Sequence, residues 1–297
     1  MKPHGSQRPL LDPDLLKAIV AVVDFGGFTA AAARLHSTQS TVSQKIRRLE
    51  DLVGHRLLDR SGRTIQLTDA GQALLGHARQ LLMLNDQILD MMAGATVALT
   101  VRLGVPEDFV ASRTTQVLAD FSRRHPQVKL EITSGLCSGL VASYDRGELD
   151  LILTKQRHHS RAAVASRPET LAWIDSVRHP CFQADPVPLV TFPPRGLYRE
   201  DIIRAIEAMG RSWRIAYTCS SLNGLQNAVA AGLGISLLPL RTVTQDHVIL
   251  GAREGLPAIN DYEIGLFHRP MADATVRALA QALADMLTNE ALEPNRS

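Results

Sequence analysis

The chain has 297 residues, 45% of them hydrophobic, and a formal net charge of +2 at pH 7. That length and apolar content suit about two domains with cores of their own, and the near-neutral balance excludes a polycation that binds nucleic acid over its whole surface. Three widely spaced cysteines, Cys137, Cys181 and Cys219, argue against a disulfide framework and a Cys-x-x-Cys metal site, so no metal or cofactor is expected.

The opening MKPHGSQRPLL lacks the apolar core of a signal peptide, and no run is long enough to span a bilayer. A cytoplasmic protein with no membrane partner is expected. Asp12 or Asp14 starts a first helix with Leu15, Leu16, Ile19, Val22 and Val23 inside, ended by Gly26-Gly27.

Phe28 to Leu52 reads as two helices joined by a tight corner. The first, Thr29 to Leu35, opens at a threonine able to cap it and carries alanines small enough for a close crossing. The second starts near Thr38 or Gln39 and puts Val42, Ile46, Leu49 and Val53 on one stripe. Its other face carries Gln39, Ser40, Ser43, Gln44, Arg47 and Arg48. Gln and Arg make paired hydrogen bonds to base edges, and Ser, Thr and Arg hold phosphates, so this face suits a DNA duplex. A solvated helical pair would have the same periodicity.

The next stretch of chain favours the duplex. Leu57 to Leu67 reads as a small hairpin turning at Ser61-Gly62, a wing that bears Arg56, Arg60 and Arg63. Between Arg34 and Arg63 stand seven Lys or Arg against three acids, a local net of +4, which suits phosphate. The DNA candidates are Thr29, Arg34, Thr38, Gln39, Ser40, Thr41, Ser43, Gln44, Arg47, Arg56, Arg60 and Arg63.

Thr68 is a plausible N-cap for a long helix running to about Ala93. Along it Leu74, Ala78, Leu81, Asn85 and Ile88 follow four- and three-residue steps, while Leu75, Leu82 and Leu89 repeat every seven. The double stripe is wider than one winged domain covers, so this is read as a dimerisation helix. Packing on its own domain is the competing reading.

After Gly94 strands and helices alternate. Strands are expected at Leu99–Gly104, Val128–Thr133 and Leu149–Thr154, with helices at Phe109–Arg124 and Leu136–Arg146. An irregular stretch from Gln156 to Pro188 includes a strand at Leu171–Asp175. A second set comes after it: strands at Leu189–Phe192, Arg214–Thr218, Ile235–Leu238, Val248–Leu250 and Tyr262–His268, helices at Tyr198–Met209 and Leu222–Ala231, and a final helix at Ala274–Leu287. This alternation implies two α/β lobes built on parallel sheets. A ligand would sit between them, at strand-end loops and helix N-termini. The candidates are Pro106, Glu107, Asp108, Ser134, Gly135, Thr154, Ser220 and Ser221. Ser221 and Asp108 equally resemble helix caps. Glu107 and Asp108 oppose a bare anion unless Lys155 neutralises them, which leaves the sign of the ligand open. Gly232-Leu233-Gly234 is a helix-to-strand turn, His158-His159 lack a ligand-spaced partner, and no catalytic motif occurs, so no enzyme activity is expected.

The sequence resembles the LysR-type transcriptional regulators in Phe28-Thr29 with Ala31-Ala32, in Thr38-Gln39-Ser40-Thr41-Val42-Ser43 with Ile46 and Leu49-Glu50, in the Arg60 wing, and in Leu67-Thr68-Asp69-Ala70-Gly71. Leu58 stands where the family usually has Phe, and fills the same apolar role. The resemblance implies a winged helix-turn-helix at 10–67, a linker helix at 68–94 pairing Leu74, Leu75, Ala78, Leu81, Leu82, Asn85, Ile88 and Leu89, and an effector-binding region at 95–297 similar to periplasmic solute-binding proteins. Lobe 1 would span 97–166 plus 269–290 and lobe 2 167–268, with crossings near Arg167 and Phe267–Pro270. It implies a homodimer or homotetramer on an interrupted inverted repeat of double-stranded DNA near a promoter, a small-molecule effector, and RNA polymerase as a further partner. The alternative is a cytosolic two-lobe binding protein or enzyme that uses its N-terminal helices only for oligomerisation.

Overall fold

A computed structural model describes residues 10–60, 65–92, 99–110, 113–269 and 272–290. The chain divides into two compact units, Met1–Ala98 with Asp145–Glu148 and Leu99–Tyr144 with Leu149–Ser297.

In the first unit, α1 (Pro13–Asp24) starts where the Asp12 carboxylate accepts the Asp14 amide at 2.9 Å, with proline at its first position. Helix α2 (Phe28–Arg34) begins one residue earlier than expected. Gly27 stands at its cap without a side-chain bond, so Thr29 lies inside the first turn and does not cap it. The corner into α3 (Gln39–Val53) is a Schellman motif: the Ser37 amide donates to the Ala32 carbonyl and the His36 amide to Ala33, with His36 at φ 49°. The alanines Ala31 and Ala32 are buried there beside Ile19, Val42, Ile46 and Leu49.

The wing pairs β1 (Leu58–Asp59) with β2 (Gln66–Leu67) antiparallel, Leu58 opposite Leu67; its expected turn at Ser61-Gly62 and Arg63 lie outside the described residues. Helix α4 (Asp69–Met92) comes next. The Thr68 hydroxyl accepts the Gly71 amide at 3.0 Å and donates to the Arg56 carbonyl at 2.6 Å, so one residue caps α4 and ties it to the wing. A Cβ on Gly71 would stand 2.0 Å from the Leu57 carbonyl oxygen, and only glycine fits.

In the second unit, the first lobe is built on β3 (Leu99–Pro106), β4 (Val128–Gly135), β5 (Leu151–Arg157), β6 (Ala165–Pro168) and β12 (Tyr262–His268), in the order β4-β3-β5-β12-β6. Parallel pairing holds for β3 with β4 and β5, whereas β12 runs antiparallel to both β5 and β6. The expected helix Phe109–Arg124 is two pieces, α5 (Glu107–Val110) and α6 (Arg113–Arg124). With α7 (Cys137–Asp145) and the final helix α10 (Ala274–Glu290) they complete the lobe's helices. Apolar residues of α6 and α10 join Val101, Leu103, Leu151 and Leu266 in the core.

The second lobe carries β7 (Leu171–Ser176), β8 (Val187–Thr191), β9 (Trp213–Thr218), β10 (Ser236–Pro239) and β11 (His247–Leu250), with α8 (Arg199–Ala208) and α9 (Leu222–Ala230). Its β10-β7-β11 sheet is antiparallel, β8-β9 is parallel, and a Leu189–Ile235 bridge joins them.

The structure corrects three expectations. Neither lobe is built on a purely parallel sheet: the first lobe's sheet is mixed, because β12 returns reversed, and the second lobe sets an antiparallel sheet beside the parallel β8-β9 pair. Tyr262–His268, expected in lobe 2, belongs to the first sheet through seven residue pairs with β5, so the chain crosses back before Tyr262 and not near Phe267–Pro270. A strand at Ala165–Pro168 also lies in the stretch expected to be irregular. Among the described residues no helix is long and apolar enough to cross a membrane.

Candidate functional site

The polar face of α3 is organised from its first turn. The Thr38 hydroxyl accepts the Thr41 amide at 3.1 Å and lies 2.9 and 2.8 Å from the hydroxyls of Ser40 and Thr41. Thr38 and Thr41 are therefore engaged in the cap. Gln39, Ser40, Gln44 and Arg47 are exposed and Ser43 is half-buried, opposite buried Val42, Ile46 and Leu49. Thr29 and Arg34 are exposed on α2. Arg34 and Arg47 have no ion-pair partner among the described residues, which leaves both charges available to an anion; Lys45 is engaged by Asp14 at 2.7 Å.

Arg56 and Arg60 are less free than expected. Glu50, buried on α3, accepts the Leu57 amide at 2.9 Å and lies 3.3 Å from Arg56 and 3.7 Å from Arg60. The Arg60 guanidinium also sits 4.9 Å from the Phe28 ring centroid. Nothing in the spacing of the sequence signals this clamp. Along α4, Leu75 and Ala78 are buried within the chain and Leu74, Leu82 and Asn85 are half-buried. Leu81, Leu84, Ile88 and Leu89 are exposed, Leu84 at 56% and Leu89 at 61%.

In the second unit a cleft of about 490 Å³, its open mouth included, lies between the two lobes. It gathers Pro106, Glu107, Asp108, Gly135 and Ser220, but not Ser134, Thr154 or Ser221. Strand alternation explains Thr154, whose side chain points away from that of its lining neighbour Lys155. Ser221 is spent as the cap of α9, accepting the Gly224 amide at 3.4 Å. Ser134 lies exposed on the edge strand β4.

Asp108 and Lys155, both lining the cleft, join a cluster with Glu169 and the half-buried Arg241. Asp108 Oδ2 accepts Lys155 Nζ and Arg241 Nη2, and Glu169 Oε2 accepts Arg241 Nη2 at 3.3 Å with Lys155 Nζ 4.0 Å away. Burial drives the Asp108 carboxyl up, yet Lys155 and Arg241 together bring it below its ordinary value. Burial likewise works against the Arg241 charge, and Asp108 and Glu169 raise its value overall. Asp108 is thus neutralised by its neighbours. Glu107 is engaged elsewhere: its Oε1 accepts the Ser221 hydroxyl at 2.8 Å and its Oε2 the Leu222 amide at 2.8 Å, at the N-terminus of α9. Arg241, Glu169, Tyr198 and Arg195 were not anticipated, since Asp108 and Arg241 stand 133 residues apart and no local pattern links them.

Comparison with known proteins agrees with this arrangement. Residues 13–72 match the model of the bacterial regulatory helix-turn-helix protein, lysR family, and residues 94–290 match that of the LysR substrate binding domain. The HTH-type transcriptional regulator PecT of Dickeya dadantii is 30% identical over 91% of this chain and 86% of its own length. DgdR of Burkholderia cepacia, another HTH-type transcriptional regulator, is 31% identical over 93% and 95%. In fold the chain is similar to full-length LysG of Corynebacterium glutamicum with bound effector Arg, at a TM-score of 0.64 and 18% identity over 94% of this chain and 99% of that one. With residues 13–72 and 94–290 both matched by models of the family, and PecT 30% identical over 91% of this chain, the chain belongs to the LysR family of transcriptional regulators.

Proposed function

We propose that this regulator acts in the cytoplasm as a homo-oligomer. It binds an interrupted inverted repeat near a promoter through two copies of α3. Gln39, Ser40, Ser43, Gln44 and Arg47 face the bases, with Arg34, Arg56, Arg60 and Arg63 on phosphates and Thr29, Thr38 and Thr41 at the helix entry. The observation that carries this reading is the exposed Gln39–Arg47 face, unpaired at Arg47 and backed by a buried stripe.

The exposed apolar residues Leu81, Leu84, Ile88 and Leu89 support pairing through α4. The cleft holds a small-molecule effector and performs no chemistry on it. An effector that favours one lobe arrangement shifts the geometry of the assembly, and with it the DNA bend and the engagement of RNA polymerase.

The test is a footprint of the purified protein on the DNA upstream of its own gene. Protection of an inverted repeat that Arg47→Ala abolishes supports the reading. Absence of any bound fragment in a genome-wide selection refutes it.

A further inference from the structure

The groups around the cleft differ in whether they already have partners. Its acids are all committed. Asp108 is held by Lys155 and Arg241, Glu169 by Arg241, and Glu107 by the Ser221 hydroxyl and the Leu222 amide. Its free groups are donors. Tyr198 lines the cleft, is 3% exposed, and its hydroxyl has no hydrogen-bond partner. Burial, then Glu169, hold that phenol well above its ordinary value, so it stays a protonated donor at neutral pH. Arg195, also on the wall, has no ion-pair partner among the described residues.

Two of the helix N-termini beside the cleft, those of α9 and α7, contrast in the same way. Helix α9 has a serine cap and the Glu107 carboxylate across its first turn. Helix α7 begins after Leu136, which offers no side-chain oxygen, and its first bonded amide is Leu140 to the Leu136 carbonyl. The amides of Cys137, Ser138 and Gly139 therefore have no acceptor among the described residues, and Leu136, Cys137 and Ser138 line the cleft. The rest of the wall is largely apolar, including Phe192, Leu197 and Leu222.

We propose that Glu107 determines effector specificity. Standing as a resident carboxylate at the N-terminus of α9, it fills an anion position of the cleft. The effector is then a small monocarboxylate with an apolar body, its carboxylate at the N-terminus of α7 within reach of the Tyr198 hydroxyl, and dicarboxylates are refused. This rests on the reading of the cleft as the effector site.

The test titrates the full-length chain with hexanoate and phenylacetate, with the matched dianions adipate and 1,4-phenylenediacetate, and with hexylamine. Thermal unfolding reports binding, and slowed alkylation of Cys137 places the probe in the cleft. Monoanions raise the Tm and protect Cys137, and dianions do neither. Tyr198→Phe weakens monoanion binding about tenfold, the loss of one hydrogen bond to a charged acceptor. Glu107→Ala admits the dianions, and Glu107→Gln, which keeps an acceptor without the charge, gives a smaller gain.

The inference is overturned if native protein binds dianions as well as monoanions, or if Glu107→Ala leaves their ratio unchanged while Tyr198→Phe has no effect. It also falls if no carboxylate protects Cys137. Protection by hexylamine alone would leave the effector cleft standing and sink the monocarboxylate, whereas the regulator reading is decided separately by the operator footprint.

Discussion

The Glu50 carboxylate accepts the Leu57 amide at 2.9 Å and reaches the Leu58 amide at 3.4 Å, joining the end of α3 to the first strand of the wing. Glu50→Ala leaves both buried amides without that acceptor, at a cost of about 1–3 kcal/mol. Hydrogen exchange at Leu57 and Leu58 should accelerate, and Glu50→Gln should restore part of the protection. Unchanged exchange in the alanine variant would show that the carboxylate does not hold the wing.

Arg47 is exposed on α3 and has no ion-pair partner among the described residues. Arg47→Ala should cost about 1–3 kcal/mol in operator affinity. For native protein, neutralising roughly six to eight phosphates per dimer gives a slope of log affinity against log salt of about −5 to −7. A slope near zero in a salt titration would contradict phosphate contact.

Asp108 has a folded value below the ordinary 3.8, so its stabilisation is complete above 3.8 and is lost as pH falls through the lower folded value. Asp108→Asn leaves Lys155 and Arg241 short of a buried partner and should cost about 3–5 kcal/mol at pH 7. The gap in urea midpoint between native and variant should narrow as pH drops below 3.8. A gap that holds constant to pH 2.5, roughly one unit below, would deny the linkage.

Ile88 is 48% exposed on α4 between Leu84 and Leu89. If α4 pairs with a second copy, Ile88→Asp buries an unpaired charge in the seam, an effect of several kcal/mol. Sedimentation should then show loss of the dimer at micromolar concentration. A variant that sediments like native protein places the contact elsewhere.

The periodic elements were legible because burial imposes period on sequence: Val42, Ile46 and Leu49 place α3, and the N-caps Asp12, Thr38, Thr68 and Ser221 fall where the order of residues puts them. Along α4, Ala78 packs on the winged domain as the competing reading expects, while Leu84 and Leu89 stay exposed. What escaped the sequence is non-local. A strand such as Tyr262–His268 shows its pattern in the sequence but not its neighbour, which is β5 of the first lobe. Arg241 and Glu169 have no local signature, because an ion pair is defined by three-dimensional proximity. Glu107 looked like a ligand group or an obstacle, and only its bond to Leu222 reveals it as already occupied.

A joint needs slack to bend, and the described residues show none where α4 meets the wing. The Gly71 backbone lies so near the Leu57 carbonyl that a methyl group would overlap it, and Thr68 bridges the same seam. The winged unit and the first turns of α4 therefore turn together as one rigid lever. In a paired assembly the crossing angle of the two levers dictates the spacing of the half-sites that can be read at once.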